Sequence, residues 1–323
     1  MKSNNLFVII VLILVGCSEP EDNGSWKLVR NQEDDLIYRQ IHFETSQIGW
    51  IVGDDGKICG TVDGGDTWTT QSSGVTSKLW DVSSVSKNEV WVSGTSGTIL
   101  KSVDCGSSWQ TLMQGDSSDG IFVSVEFVDS NVGWACNTDG SVYKSSDGGS
   151  TWNLSIKHFM TGAHQIFTFD GLTQYHSNLG QLYRTHDGGS TWDSVSIQCP
   201  NNYFSSDLSF VDANHGFASI MNGTGGMIIN EYPMVKTTDA GQSWEESIYL
   251  HTGGFGFSSI HFVDEDTGWL GGLHFMYKTS DGGQTFDEQI IPEGIFPAHL
   301  AFTDENHGWA LTFQGEVIKY SQD

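Results

Sequence analysis

Ser145-Ser146-Asp147-Gly148-Gly149-Ser150-Thr151-Trp152 sets the architecture of this chain, because close copies of it punctuate the rest of the sequence. The copies span 61–68, 102–109, 185–192, 237–244 and 279–286. All six read [ST]-x-D-x-G-x-[ST]-[WF], around Asp63, Asp104, Asp147, Asp187, Asp239 and Asp281. A turn signal with a fixed aromatic, recurring about every 40 residues, marks a radial or solenoidal repeat fold. A second landmark keeps the same register: Trp50, Trp91, Trp134 and Trp309 stand at one offset before the box position, Trp269 one residue closer and Phe217 further back. Trp309 therefore marks a seventh unit, which runs from His299 to Lys319 with Gln322 at the place of the box aspartate. Near the other end, Asn23-Gly24-Ser25-Trp26 reads as the missing second half of that box. The expectation is a closed ring whose N-terminal strand completes the C-terminal unit, which removes the open edges a free sheet would present.

Within the third unit, residues 121–128 are β-rich and end in the turn cluster Asp129-Ser130-Asn131. Gly133-Trp134-Ala135-Cys136, Ser141-Val142-Tyr143-Lys144 and residues 152–157 follow, separated by tight-turn residues and by the box. Four short strands joined by turns make one propeller blade, and no stretch shows sustained helical periodicity. The fold expected is all-β: a seven-bladed β-propeller of four-stranded antiparallel blades over residues 25–323. Turn chemistry explains the box aspartates as structural. The carboxylate should accept N–H groups two or three residues on, while glycine supplies a positive-φ position. Asp129, Asp212, Asp264 and Asp304, in the first hairpin of their units, read the same way.

The chain opens with one lysine and an apolar run over residues 6–15, too short for the roughly 20 residues of a spanning helix. It reads as an export signal. Its ending, Leu14-Val15-Gly16-Cys17, resembles the bacterial lipobox, which implies lipidation of Cys17; residues 18–24 then form a short acidic tether. The expected address is a bacterial membrane, the outer membrane or cell surface rather than the inner one. With 40 acidic and 14 basic residues, a net charge of −26, the chain is not built to bind nucleic acid. Cys59, Cys105, Cys136 and Cys199 lie in different units, so their pairing stays open. They lack zinc-ligand spacing, and no metal or other cofactor is expected.

Whatever recurs at a fixed repeat position serves the scaffold, so function is sought in what is left. Eleven of the twelve tryptophans fall on repeat positions and Trp80 does not. Lys101, Lys144, Arg184, Lys236, Lys278 and Lys319 all sit three residues before the box aspartate or its substitute, which leaves Arg30 and Arg39 as the arginines elsewhere. On the face opposite the boxes the remaining candidates are Arg39, Trp80, Asp81, His164, Tyr175, His176, Tyr203, Phe204, Asp207, Phe255, His274, Phe296 and His299. Aromatic and imidazole groups of this kind suit stacking against a protein loop or a sugar ring. Asp81 and Asp207 precede equivalent apolar positions and could also be read as a carboxylate pair. The fifth unit carries an insertion around Asn222-Gly223-Thr224-Gly225-Gly226.

The repeat F-x-D-x-x-x-G-W followed by G-x-[VIL]-[YL]-K-[ST]-x-D-G-G-x-[TS]-W is similar to the Asp-box (BNR) repeats of sialidases, two-propeller xyloglucanases and the sortilin ectodomain. It most resembles the photosystem II stability and assembly factors, the Ycf48-like proteins, over residues 26–323. That resemblance implies an exported propeller that assists assembly of a membrane complex through an arginine-rich patch. With Arg30, Arg39 and Arg184 as its only arginines, this chain does not carry the patch. The same scarcity argues against sialidase chemistry, which grips a carboxylate with three arginines. The expected function is a non-enzymatic, lipid-anchored protein-interaction or assembly module of the bacterial envelope. The alternative is a surface lipoprotein that binds or cleaves glycans.

Overall fold

The computed structural model describes residues 24–32, 34–115, 120–157, 163–178, 181–197, 203–222, 231–251, 257–273 and 275–321. They form seven antiparallel four-stranded sheets set as blades around an axis. The innermost strands are Tyr38–Phe43, Leu79–Ser84, Phe122–Phe127, Ala163–Thr168, Tyr203–Phe210, Phe257–Phe262 and His299–Asp304. Blade three continues outward through Gly133–Asn137, Ser141–Ser145 and Asn153–Lys157, the strands read from its sequence. In blade seven the outermost strand is the N-terminal Ser25–Arg30, paired antiparallel with Val317–Ser321 in the register Trp26↔Tyr320 and Leu28↔Ile318. The ring is closed as expected. Trp26 packs edge-on against Phe302 and at a tilt against Tyr320, and Arg30 donates to the Tyr38 hydroxyl of blade one and to the Gly315 carbonyl.

Each box is a hydrogen-bonded knot. In blade three, Asp147 Oδ1 accepts from the Ser145 hydroxyl at 2.9 Å and the Thr151 N–H at 2.8 Å, and Oδ2 accepts from the Thr151 hydroxyl at 2.6 Å. The Ser145 hydroxyl in turn accepts the Gly149 N–H at 2.8 Å. The carboxylate thus reaches four residues on, not two or three, and takes both donors of one residue. This accounts for the second [ST] of the motif. Gly148 and Gly149 sit at φ 73° and 90°, which side chains disfavour. The first-hairpin aspartates cap their turns as expected: Asp129 Oδ1 accepts the N–H groups of Asn131 and Val132, both at 2.7 Å.

The blades are joined by aromatic stacking. Phe127 of blade three lies on Trp91 of blade two at 3.8 Å between ring centroids, and Phe43 on Trp309, Phe262 on Phe217 and Phe302 on Trp269 repeat the contact at 3.4, 3.5 and 3.8 Å. Phe210 on Tyr175, at 4.5 Å, is the fifth such pair. Each of these phenylalanines pairs across its own blade with a glycine: Phe43↔Gly49, Phe127↔Gly133, Phe210↔Gly216, Phe262↔Gly268 and Phe302↔Gly308. A Cβ on those glycines would come within 2.0–2.7 Å of the ring. Blades two and four have Ser84 and Thr168 in place of phenylalanine, and there the facing residues are Val90 and Gln174. The G-W dipeptide is therefore the imprint of the phenylalanine it faces.

Basic residues before the boxes reach the next blade. Lys144 donates to the Gly188 carbonyl at 2.9 Å, and Arg184 to the Ala240 carbonyl at 2.7 Å while also pairing with Asp193. Cys59, Cys105 and Cys136 are free thiols, and Cys199 lies outside the described residues.

Candidate functional site

The seven innermost strands enclose an axial cavity of about 560 Å³. Equivalent positions on successive strands carry Gln40, Asp81, Ser124, Gln165, Asp207, Ser259 and His299 around its wall, the order Gln-Asp-Ser occurring twice before the histidine. Five of them bond forward to the next blade. Asp81 Oδ2 accepts the Val125 N–H at 2.9 Å, Ser124 that of Ile166 at 3.4 Å and Gln165 that of Leu208 at 3.1 Å. Asp207 Oδ2 takes Ile260 at 2.9 Å and Ser259 takes Leu300 at 3.2 Å. Gln40 hydrogen-bonds Asp81 itself, again the next blade. At the seam between blades seven and one the pattern breaks: the Ile41 N–H goes to Gln40 Oε1 of its own strand, not to His299.

This pattern assigns Asp81 and Asp207 a structural task. The other oxygen of each accepts the N–H of the following residue, Val82 at 2.8 Å and Leu208 at 3.0 Å. Burial pushes both carboxyls up to about 6 against these hydrogen bonds. Both are spent on holding blades together, which leaves little of either for acid–base chemistry on a substrate. One turn further along the axis, burial and then the Asp81 charge push Glu126 up to about 8. Burial draws His42, His261 and His299 down to about 4, assisted at His42 by His261 and at His299 by Arg39. The histidines are thus neutral at neutral pH, and the negative charge of the channel wall rests with Asp81 and Asp207.

The mouth away from the boxes is different. Arg39 Nε meets Asp54 Oδ1 at 2.6 Å and the guanidinium lies over the Trp80 ring, 4.0 Å from its centroid. Lys78 reaches the other Asp54 oxygen at 3.2 Å. Burial alone would raise Asp54, but the hydrogen bonds from Arg39 and Lys78 hold it below the ordinary carboxylate range. Across the seam the His299 ring stands edge-on to Phe313 at 5.6 Å, and Phe313 is 53% exposed. Blades one, two and seven therefore place a cation, an indole, an imidazole and an open phenyl ring around one opening.

Among the sequence candidates, Arg39, Trp80, Asp81, Asp207 and His299 all line this cavity. Tyr175 and His176 do not: both are fully buried inside blade four, and Tyr175, facing Arg184 in register, occupies that blade's Trp position and stacks on Phe210. His164, Tyr203 and Phe204 fall on the first strands of blades four and five. Phe296 is half-buried in the connection between blades six and seven. Phe255, His274 and the insertion tip at 223–230 lie outside the described residues. The sequence reading missed Asp54 and Phe313, which sit in turns between second and third strands. Asp54 opens the Asp54-Asp55-Gly56 turn, an acidic pair that could have been matched to a cation. On the box face, Asp212, His215 and Glu265 bring three potential ligand atoms within 4.8 Å of one another. Hydrogen bonds account for that cluster: His215 Nδ1 lies 2.8 Å from Asp212 and 3.4 Å from Glu265, and Asp212 also caps its own turn.

Comparison with solved structures finds the same ring elsewhere. A structure described as YCF48 bound to D1 peptide superposes with a TM-score of 0.75 at 17% identity, covering 92% of this chain and 97% of that one. YCF48 from Cyanidioschyzon merolae gives 0.75 at 19% identity, covering 92% and 99%. The GH74 xyloglucanase from Xanthomonas campestris gives 0.69 at 15% identity, covering 93% of this chain and 54% of the enzyme. At such identities these likenesses concern the fold. No curated protein sequence matches the chain. The family model described as photosynthesis system II assembly factor YCF48 matches residues 19–321, so the chain belongs to the YCF48 assembly-factor family.

Proposed function

We propose that this propeller is a non-enzymatic interaction module that receives a polypeptide of its partner at the mouth away from the boxes, and so assists assembly of a complex in a bacterial envelope. The observation that carries the reading is the Arg39–Trp80 stack, fixed by Asp54 beside the open ring of Phe313. Elsewhere in the cavity wall the described polar side chains at the equivalent ring positions bond between or within blades, whereas this opening carries the Arg39–Trp80 stack beside the exposed ring of Phe313. The peptide seen on a relative, YCF48, supports a polypeptide as the ligand. Membrane attachment through Cys17 fits the geometry: the tether joins the ring at Ser25, which pairs with Ser321 at the box end of blade seven. The anchored molecule would then hold its boxes toward the lipid and its open mouth toward the partner.

The test is capture from native membranes after mild cross-linking, comparing the wild-type full chain with the Arg39→Ala/Trp80→Ala double variant. A near-stoichiometric protein recovered by wild type and lost by a folded double variant is expected. Equal recovery by both would overturn the assignment of this mouth, and recovery of polysaccharide in place of protein would favour the glycan reading.

A further inference from the structure

We propose that Asp212, His215 and Glu265 form a binding site for a divalent metal ion of the zinc class, which clamps blade five to blade six on the box face. The site lies apart from the mouth read above as the partner surface, and neither reading depends on the other.

Asp212 and His215 stand in the first hairpin of blade five, and Glu265 stands in the first hairpin of blade six. One nitrogen and two carboxylate oxygens, one atom from each side chain, lie within 4.8 Å of one another. His215 Nδ1 is 2.8 Å from Asp212 Oδ2 and 3.4 Å from Glu265 Oε1. A tetrahedral zinc ion with bonds of about 2.0–2.2 Å sets its ligand atoms about 3.3–3.5 Å apart, so small side-chain adjustments complete the set. Asp212 is already oriented for it. Its Oδ1 accepts the N–H groups of Asn214 and His215 at 2.6 and 2.8 Å, which turns Oδ2 toward the imidazole. The imidazole Nδ1 has one proton to give, yet two carboxylates face it. A metal ion takes the place of that proton and answers both carboxylates. All three side chains reach solvent, so an ion has access. Asp264 and Asp266 flank Glu265 and add negative charge, while Lys236 Nζ on the same seam donates to the Gly282 carbonyl at 3.4 Å.

Two comparisons within the ring single out this seam. Blade seven repeats the first pair, with His307 Nδ1 2.8 Å from Asp304, but blade one brings Ser46 to the place of Glu265. The aromatic that stacks on the next blade's phenylalanine adds a forward hydrogen bond from Trp91 to the Gly148 carbonyl, from Trp309 to that of Gly64 and from Tyr175 to that of Ala213. Blade five has Phe217 at this position, stacked on Phe262, and a phenyl ring has no donor to give. A metal ion shared by the two hairpins would supply a polar tie where the aromatic cannot. No close-spaced pair in the sequence announces the site, because its third ligand arrives from the next repeat.

The test is titration of the full chain, freed of metal by a chelator, with Zn2+ against a chromophoric indicator. One equivalent should bind in the micromolar range or tighter. Glu265→Gln and His215→Gln should each weaken binding at least about tenfold, and His307→Gln should leave it unchanged, with near-ultraviolet circular dichroism checking that every variant is folded. Zinc should also slow amide exchange in the hairpins at 211–215 and 263–267 of the wild type and not of Glu265→Gln. Unchanged affinity in either ligand variant, an equal loss in His307→Gln, or binding at millimolar zinc alone, the mark of an adventitious ion only, would overturn the proposal. Tight binding without protection of either hairpin would overturn the clamp.

Discussion

At the scale of single residues, the pairing of phenylalanine with glycine is the tightest constraint in the ring. The Phe127 ring is held between Trp91 of the preceding blade and the bare backbone of Gly133. A Cβ on Gly133 would approach the ring to 2.5 Å, so Gly133→Ala should force the stack apart and cost about 1–3 kcal/mol. Blade two shows the alternative solution, Ser84 facing Val90. The double change Phe127→Ser/Gly133→Val should therefore be less damaging than the sum of its single changes, as measured by a double-mutant cycle in denaturant. Additive losses would show that the pair is not coupled. Much of this was legible in the sequence, since F-x-D-x-x-x-G-W names both partners. Tyr175 was not legible: its blade lacks both the phenylalanine and the glycine, and its offset to the box is shorter by one residue, so it looked like a leftover aromatic.

At the scale of strands, the inner seven divide their polar residues between holding and presenting. Residue types alone could place Asp81, Asp207 and His299 on the channel wall, because the period is regular. Whether each oxygen was already taken depended on the next blade's backbone about 40 residues away, which is why Asp81 and Asp207 looked like chemistry. Glu126 lies on the same wall with its proton held up to about 8 by burial and by Asp81. A carboxyl raised in the folded state binds more protons folded than unfolded, so it weakens the fold as pH rises from its unfolded value toward 8. The channel histidines act in the opposite sense, at about 4 when folded, and cost stability only as pH falls below about 6.5. Between about pH 6.5 and 8 the slope contributed by the channel belongs to Glu126. Glu126→Gln should flatten it and raise stability at pH 8 by an amount on the order of 1 kcal/mol. Parallel denaturation profiles for the two proteins across that range would contradict this account of the channel.

At the scale of the whole molecule, seven units and the N-terminal strand make one closed body, and its two faces differ in kind. The box face consists of repeated knots with carboxylates held low by hydroxyl and N–H donors. At Asp187 the Thr191 hydroxyl, followed by the Thr191 N–H, brings the carboxyl to about 2. The opposite face departs from the repeat where blades seven, one and two meet. Closure was legible from Trp26 and the half-box before it, because a missing strand leaves a mark at both ends of a repeat. The meeting of Arg39, Asp54, Trp80, His299 and Phe313 was not, because it joins turns and strands from three blades whose sequences share no motif there.

The central claim is that the partner approaches this mouth and not the boxes. A photo-cross-linking residue placed at Phe313, 53% exposed beside His299, and in a second protein at Val62, 69% exposed within a box, would compare the two faces in native membranes. We predict a discrete protein adduct from position 313 and none from position 62. An adduct from position 62 with none from position 313 would contradict the account.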